Sequence, residues 1–144
     1  MSFDLQIKDG DLTIGPNGDL QQVVNTNKLV QDIIKMVTTQ IGSNMYHPWY
    51  GSPITKALIG NVLDEQFVSS IATNQLNSAL QILQNLQAQQ ALIQNISPSE
   101  QIAAVKQINV QRNASDPRYY TVEITIVSKD LTTTSTQFDI MPTI

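Results

Sequence analysis

The chain has 144 residues, 41% hydrophobic and 14% charged, with a formal charge of −4 and a pI near 4.6. That acidity, with its basic residues scattered, excludes nucleic-acid binding through a Lys/Arg cluster. The absence of cysteine excludes disulfides and thiolate metal sites and leaves the redox compartment open. The length suits one domain, 1–144, that buries most of its unfolded surface in a single core. No apolar run is long enough to span a membrane, and the first residues lack the basic and apolar regions of a secretion signal, so an aqueous, unsecreted setting is expected. Charged residues fall below the roughly 25% usual for globular chains, and Gln, Asn, Ser and Thr take their place. Such a surface costs less to desolvate than one of Lys and Glu, which suits a subunit covered by partners; a merely solvated Gln-rich helix is the plainer alternative.

Residues 1–24 alternate short apolar runs with the turn signals Asp9-Gly10 and Gly15-Pro16-Asn17-Gly18. They predict a meander of small strands, since Gly and Asn tolerate the positive φ of tight hairpins. Helices are expected over 25–104. Leu29, Val30, Ile33, Ile34, Val37 and Ile41 recur at helical spacing, predicting a helix over 27–41 capped by Asn25 or Thr26 and ended by Gly42 at C′. Ser52 and Pro53 read as N-cap and N1 of a short helix ending before Gly60. A long helix is predicted over 64–95, its apolar positions drifting around the surface among several glutamines, with a bend at 88–91.

Ser97-Pro98-Ser99-Glu100 is a capping-box signature and predicts one or two helical turns ending near Val105. The period then becomes two: Ile108 and Val110; Tyr120, Val122, Ile124 and Ile126; Thr132, Thr134, Thr136, Phe138 and Ile140. Two long strands joined across Lys129-Asp130, with a third over 108–112, predict an antiparallel sheet of about three strands packed on the helices. The fold class is therefore α+β. Threonines on the last strand mark it as a half-exposed edge, and an exposed edge is a docking surface.

Chemical motifs are sparse. His47 is the one histidine, between Tyr46 and Pro48, and reads as a loop residue packed on aromatics rather than a metal ligand. Neither a nucleophile elbow nor a phosphate loop is present. The carboxylates Asp19, Asp32, Glu65, Glu100 and Glu123 invite a glycosidase reading, which needs two of them across a scissile bond. Asp19 belongs to a turn, Asp64 and Glu65 suit a helix N-terminus, Glu100 closes a capping box and Glu123 alternates outward on a strand. For Asp32, on the polar flank of the first helix, a hydrogen bond to a loop amide is expected. No catalytic residue, cofactor or metal is assigned.

The segment over 27–52, NKLVQDIIKMVTTQIGSNMYHPWYGS, has the most specific pattern: an amphipathic helix gives way to an aromatic loop ending in Gly-Ser. It resembles the hallmark segment of the baseplate wedge proteins of contractile phage tails, also called sheath initiators and, in some members, lysozyme-like. Gln31, Asp32 and Ile33 match on the helix, Thr38, Thr39 and Gly42 at its end, and Pro48, Tyr50, Gly51 and Ser52 in the loop. Gln31, Asp32, Gly42, Tyr50, Gly51 and Ser52 are thereby expected to build a structural loop. The order of the remaining segments fits over nearly the whole chain.

That resemblance implies a mechanical role in the virion tail baseplate, assembled in the host cytoplasm. The implied partners are the core bundle of the baseplate wedge subunits, the tail sheath protein and tail tube neighbours, with neither nucleic acid nor membrane. A sheath-like sheet would occupy 105–144, extended by sheath strands along an edge carrying Thr132, Thr134, Thr136 and Phe138. The wedge contact would fall on Glu100, Gln101 and Ile102, where many relatives carry Glu-Pro-Arg. The missing guanidinium fork means that this contact differs in detail. A small lysozyme-like glycoside hydrolase is the alternative.

Overall fold

A computed structural model describes residues 2–58 and 65–141. Its strands are β1 (Phe3–Leu5), β2 (Ile7–Lys8), β3 (Asp11–Leu12), β4 (Gln22–Val24), β5 (Ile102–Arg112), β6 (Tyr120–Ser128) and β7 (Thr133–Ile140). Its helices are α1 (Asn25–Thr38), α2 (Ile54–Leu58) and α3 (Glu65–Ile93), and a 3-10 turn, Pro98–Glu100, precedes β5. This is the expected α+β arrangement, with short strands first, helices between, and a three-stranded antiparallel sheet, β5-β6-β7, last.

The N-terminal strands take a nested form of the expected meander. β1 pairs with β4, and the β2–β3 hairpin turns inside that pair on Asp9 and Gly10, at φ 53° and 82°. Both residues are left-handed, the twist a type I′ hairpin requires and the reason Asp-Gly signals one.

Three boundaries differ from expectation. α1 begins at Asn25, itself at φ 52°, and neither Asn25 nor Thr26 caps it through a side chain. It ends at Thr38 with Thr39 extended, so Gly42 lies beyond the helix. The helical turn after Ser97 closes at once into β5, which starts at Ile102 rather than near 108. The predicted starts and stops around Gly60 and Asp64 lie outside the described residues.

The core lies between the sheet and the helices. Leu29, Ile33, Met36 and Val37 of α1 meet Val68, Ala72, Leu76, Leu80 and Leu83 of α3, with Ile54 beneath. The sheet contributes the alternating residues Tyr120, Val122, Ile124 and Ile126 of the central strand β6. Along α3 the buried seam steps by three and four residues through 68, 72, 76, 80, 83 and 87. The alanines and Gln87 thus belong to it, whereas Phe67, Leu92 and Ile93 are exposed.

The aromatic loop is tied at its neck. The Ser52 amide donates to the Thr39 carbonyl at 2.8 Å, the Ile41 amide to the Ser52 carbonyl at 3.3 Å, and the Gly42 amide to the Pro48 carbonyl at 3.0 Å. Ser52 Oγ accepts from the Ile54 amide at 3.2 Å, a cap for α2. Gly51 sits in this neck at φ 119°, where a β-carbon would lie 2.5 Å from the Thr39 carbonyl oxygen. His47 packs on Trp49 at 5.3 Å between centroids. Trp49 remains 44% exposed and meets Ile82 and Leu86 of α3 rather than α1.

Gly51→Ala combines that clash with a disfavoured φ, so it should cost about 1–3 kcal/mol of unfolding free energy. Trp49→Ala should cost less, its ring being half in water. Chemical denaturation of the two variants checks the order, and an unperturbed Gly51→Ala would show that the neck imposes no constraint.

Candidate functional site

Glu100, Gln101 and Ile102 are buried, at 1%, 8% and 1% exposure, and their polar groups are engaged inside the chain. The Glu100 carboxylate accepts from the Ser2 hydroxyl at 2.6 Å, the Ser2 amide at 3.2 Å and the Ser97 amide at 2.6 Å. Burial pushes this carboxyl up, but the bonds from Ser2 and Ser97 outweigh it and hold the group below the usual carboxylate range. Gln87 of α3 donates Nε2 to the Glu100 carbonyl at 3.1 Å and accepts the Ile102 amide on Oε1 at 2.9 Å. The Gln101 carbonyl accepts the Lys129 amide at 3.0 Å, and Gln101 Oε1 accepts Lys129 Nζ at 2.8 Å. The trio expected to grip a partner is the junction where the N-terminus, α3 and the β6–β7 turn meet.

The second predicted group lies on α1. Gln31 repeats the Gln87 arrangement: its Nε2 donates to the Leu5 carbonyl at 2.8 Å and its Oε1 accepts the Ile7 amide at 2.9 Å, bridging the break between β1 and β2. Asp32 makes ion pairs with Lys28 at 2.8 Å and Lys35 at 3.4 Å instead of meeting a loop amide. Lys35 also pairs with Asp4. Burial would raise Asp4, but Lys35 and Gln31 bind its charged form and bring it below the ordinary value. Burial lowers Lys35, and its two aspartates more than reverse that. Tyr50 stands beside this cluster with its hydroxyl pKa raised by burial, against the charge of Lys35 and helped by the two aspartates. Two carboxylates here share ammonium partners, and the lowered Asp4 is the opposite of a protonated general acid.

The third group is the edge strand β7, where strand parity decides which residues face outward. The Ser128 amide donates to the Thr132 carbonyl at 3.0 Å, and the pairing then runs without a shift to Tyr120 opposite Ile140. Hydrogen-bonded and non-bonded pairs alternate along such a ladder. Thr134, Thr136, Phe138 and Ile140 therefore direct their backbone groups into β6. Thr133, Ser135, Gln137 and Asp139 direct theirs away from the sheet. The side chains follow the same parity: Thr134, Thr136 and Phe138 are half-buried toward the helices, while the outward four are exposed and Thr132 lies in the turn. The expected strand is the edge, but the residues with free backbone groups are the alternate set.

The opposite edge is covered. On β5, Ser69 Oγ donates to the Val110 carbonyl at 3.0 Å, Gln84 Nε2 to the Ala103 carbonyl at 3.2 Å, and the Arg112 amide donates to Glu65 Oε1 at 3.3 Å. All three partners come from α3, and β5 is further broken by register shifts at 102/104 and 105/107. Among the described residues, none hydrogen-bonds the outward backbone groups of β7. On the exposed face, Thr121 Oγ1 donates to Asp139 at 2.7 Å, and Ser135 Oγ lies 3.2 Å from Thr125 Oγ1 and donates to Glu123 at 3.3 Å. These cross-strand contacts hold β7 flat and extended.

No protein-family model matches the chain, and no curated protein does. Among solved structures it is similar to a Geobacter sulfurreducens protein described as a "putative tail lysozyme", determined at 1.44 Å. The TM-score is 0.61 at 9% identity, over 81% of this chain and 89% of that one. The two chains share a fold. Among the described residues no helix is long and apolar enough to cross a membrane, and no cluster of three or more His, Asp or Glu is placed to hold a metal.

Glu100 has a depressed folded pKa, so its contribution is complete above the ordinary carboxylate value near 4.5 and is lost as pH falls through the folded value. Glu100→Gln should therefore cost about 1.5–3 kcal/mol at pH 7, the scale of hydrogen bonds to a buried charge. The gap to the parent chain should narrow below pH 4.5. Urea titrations at several pH values measure this, and a gap that widens in acid would contradict the assignment.

Proposed function

We propose that this protein is a structural subunit of a contractile tail baseplate and that it nucleates sheath assembly by accepting a neighbour's strand on the open edge of β7. The observation that carries this reading is the asymmetry of the C-terminal sheet, one edge closed by α3 and the other exposed over an unshifted eight-residue strand. β7 has neither proline nor lysine, the usual devices that blunt an edge. An added strand would bond the outward amides and carbonyls of Thr133, Ser135, Gln137 and Asp139, giving attachment through the main chain without a deep pocket. Support also comes from the fold shared with the Geobacter protein and from the Gln-Asp helix and Gly-Ser loop that resemble the sheath-initiator family. In this reading the partner along β7 is the tail sheath protein. Wedge subunits and tube neighbours meet other faces, because Glu100, Gln101 and Ile102 are internal.

The parity of β7 makes the test specific. Ser135→Pro or Gln137→Pro removes an outward N–H and leaves the inner ladder intact, a position where edge strands tolerate proline. Tails assembled with either variant should carry baseplate and tube but little sheath. Thr134→Pro removes a bond to β6 instead and should lower stability by about 1 kcal/mol or more. Normal sheath length in micrographs, with Ser135→Pro present in the particles and folded, would refute strand addition on this edge.

A lysozyme-like activity is the competing reading, prompted by the description of the Geobacter protein. The ammonium pairing of Asp4 and Asp32 and the burial of Glu100 weigh against it. Purified protein is expected to leave peptidoglycan intact at pH 5 and pH 7. Turnover abolished by Asp32→Asn or Glu65→Gln in a folded protein would reverse that conclusion.

A further inference from the structure

The N-terminal strands carry their apolar side chains outward. Ile7 stands opposite Leu12, and Ile14 opposite Leu20. Leu12 and Ile14 are two residues apart on one extended segment, so they share a face and bring their partners with them. The four are 45%, 46%, 67% and 46% exposed. Single exposed aliphatics are ordinary on a folded surface, but two opposed pairs form a contiguous patch. Through Ile7 this patch continues into a groove floored by Val23, Val30 and Ile34 at the α1 surface. The strand side chains turned inward are polar by comparison: Asp4 is held by Gln31 and Lys35.

Charge at the margin selects the occupant. Asp9 and Asp11 flank the first pair and Asp19 the second, all exposed, while Lys8 is the sole cation over 7–20. An apolar centre with an acidic margin complements an apolar centre with a basic margin. A second copy would set the same aspartates against one another across a two-fold axis, and an anionic bilayer would repel them.

We infer that the face formed by Ile7, Leu12, Ile14 and Leu20 is a docking surface for a partner protein whose own apolar patch is bordered by Lys or Arg. This surface is distinct from the β7 edge and does not rest on the tail reading.

The full-length chain is titrated with two synthetic peptides, one alternating Leu and Lys, the other alternating Leu and Glu, and followed by amide chemical shifts and calorimetry. The Leu/Lys peptide should bind with shifts confined to 7–20 and to the facing surface of α1, and more weakly as salt rises. Ile14→Ser combined with Leu20→Ser should weaken it about ten-fold, the order expected for losing roughly 1.4 kcal/mol of apolar burial. Both side chains lie largely in water, so the variant remains folded, which its far-UV spectrum verifies. Asp11→Lys with Asp19→Lys should shift preference toward the Leu/Glu peptide. Four results overturn the inference: equal binding of both peptides, shifts centred elsewhere, no binding of either, or an unchanged affinity in the Ile14/Leu20 variant. Concentration-dependent dimerisation through this face would assign it to a second copy, and binding to neutral phosphatidylcholine vesicles with shifts at 7–20 would assign it to lipid. Either outcome refutes a basic-margined protein partner.

Discussion

The buried junction at Glu100 constrains everything around it. A carboxylate at 1% exposure is tolerable only because three donors from Ser2 and Ser97 replace the water it has lost. Those donors come from opposite ends of the chain order, so satisfying one side chain fixes the N-terminal strands against the entrance to the sheet. Gln87 completes the arrangement from α3. Its amide offers one donor and one acceptor, as a strand neighbour would, and pairs with the backbone on either side of Gln101. Removing either side chain would leave buried partners unsatisfied, a greater loss than the bonds themselves contribute.

From that junction the sheet acquires its asymmetry. With β5 leaving the 3-10 turn beside α3, the outer carbonyls of Ala103 and Val110 fall within reach of Gln84 and Ser69. One edge is consumed internally, whereas β7 lies two strands away, beyond the reach of α3. The low charge of α3 contributes to this. Between Glu65 and Glu100 the chain has no ionisable residue, and amides and hydroxyls can turn inward to backbone groups without the desolvation cost of Lys or Glu.

Much of this architecture was legible, and the misses share a cause. Period-two runs located β6 and β7, the Asp9-Gly10 pair located a hairpin, and the capping-box pattern located the turn before β5. Periodicity is local, and those elements are decided locally. The start of β5 was missed because Ala103, Ala104 and Lys106 break the alternation, and the register shifts that absorb this are visible only against β6. Gln31 and Gln87 read as surface amides because glutamine has no pattern that distinguishes a solvated side chain from one paired with a distant backbone. Asp32 was assigned an amide partner, although Lys28 and Lys35 stand at i−4 and i+3, a spacing that already favours ion pairs on a helix. On β7 the strand was identified but the outward set was not, since the threonines occupy both parities and only the hairpin register separates them.

An open edge is ordinarily a hazard, because any extended chain, including another copy, presents matching groups. Here the side chains beside that edge are Thr, Ser, Gln and Asp, polar and exposed, and the apolar partners Phe138 and Ile140 point back into the core. Two copies meeting along β7 would gain main-chain bonds but little apolar burial, and each would bring an Asp139 and a net charge of −4. Strand pairing alone is a weak association when ordering costs are included. A productive neighbour must therefore supply additional contacts beyond the strand it adds. That requirement separates specific assembly from aggregation: the edge fixes register and direction, and affinity has to come from surfaces that only the correct partner carries.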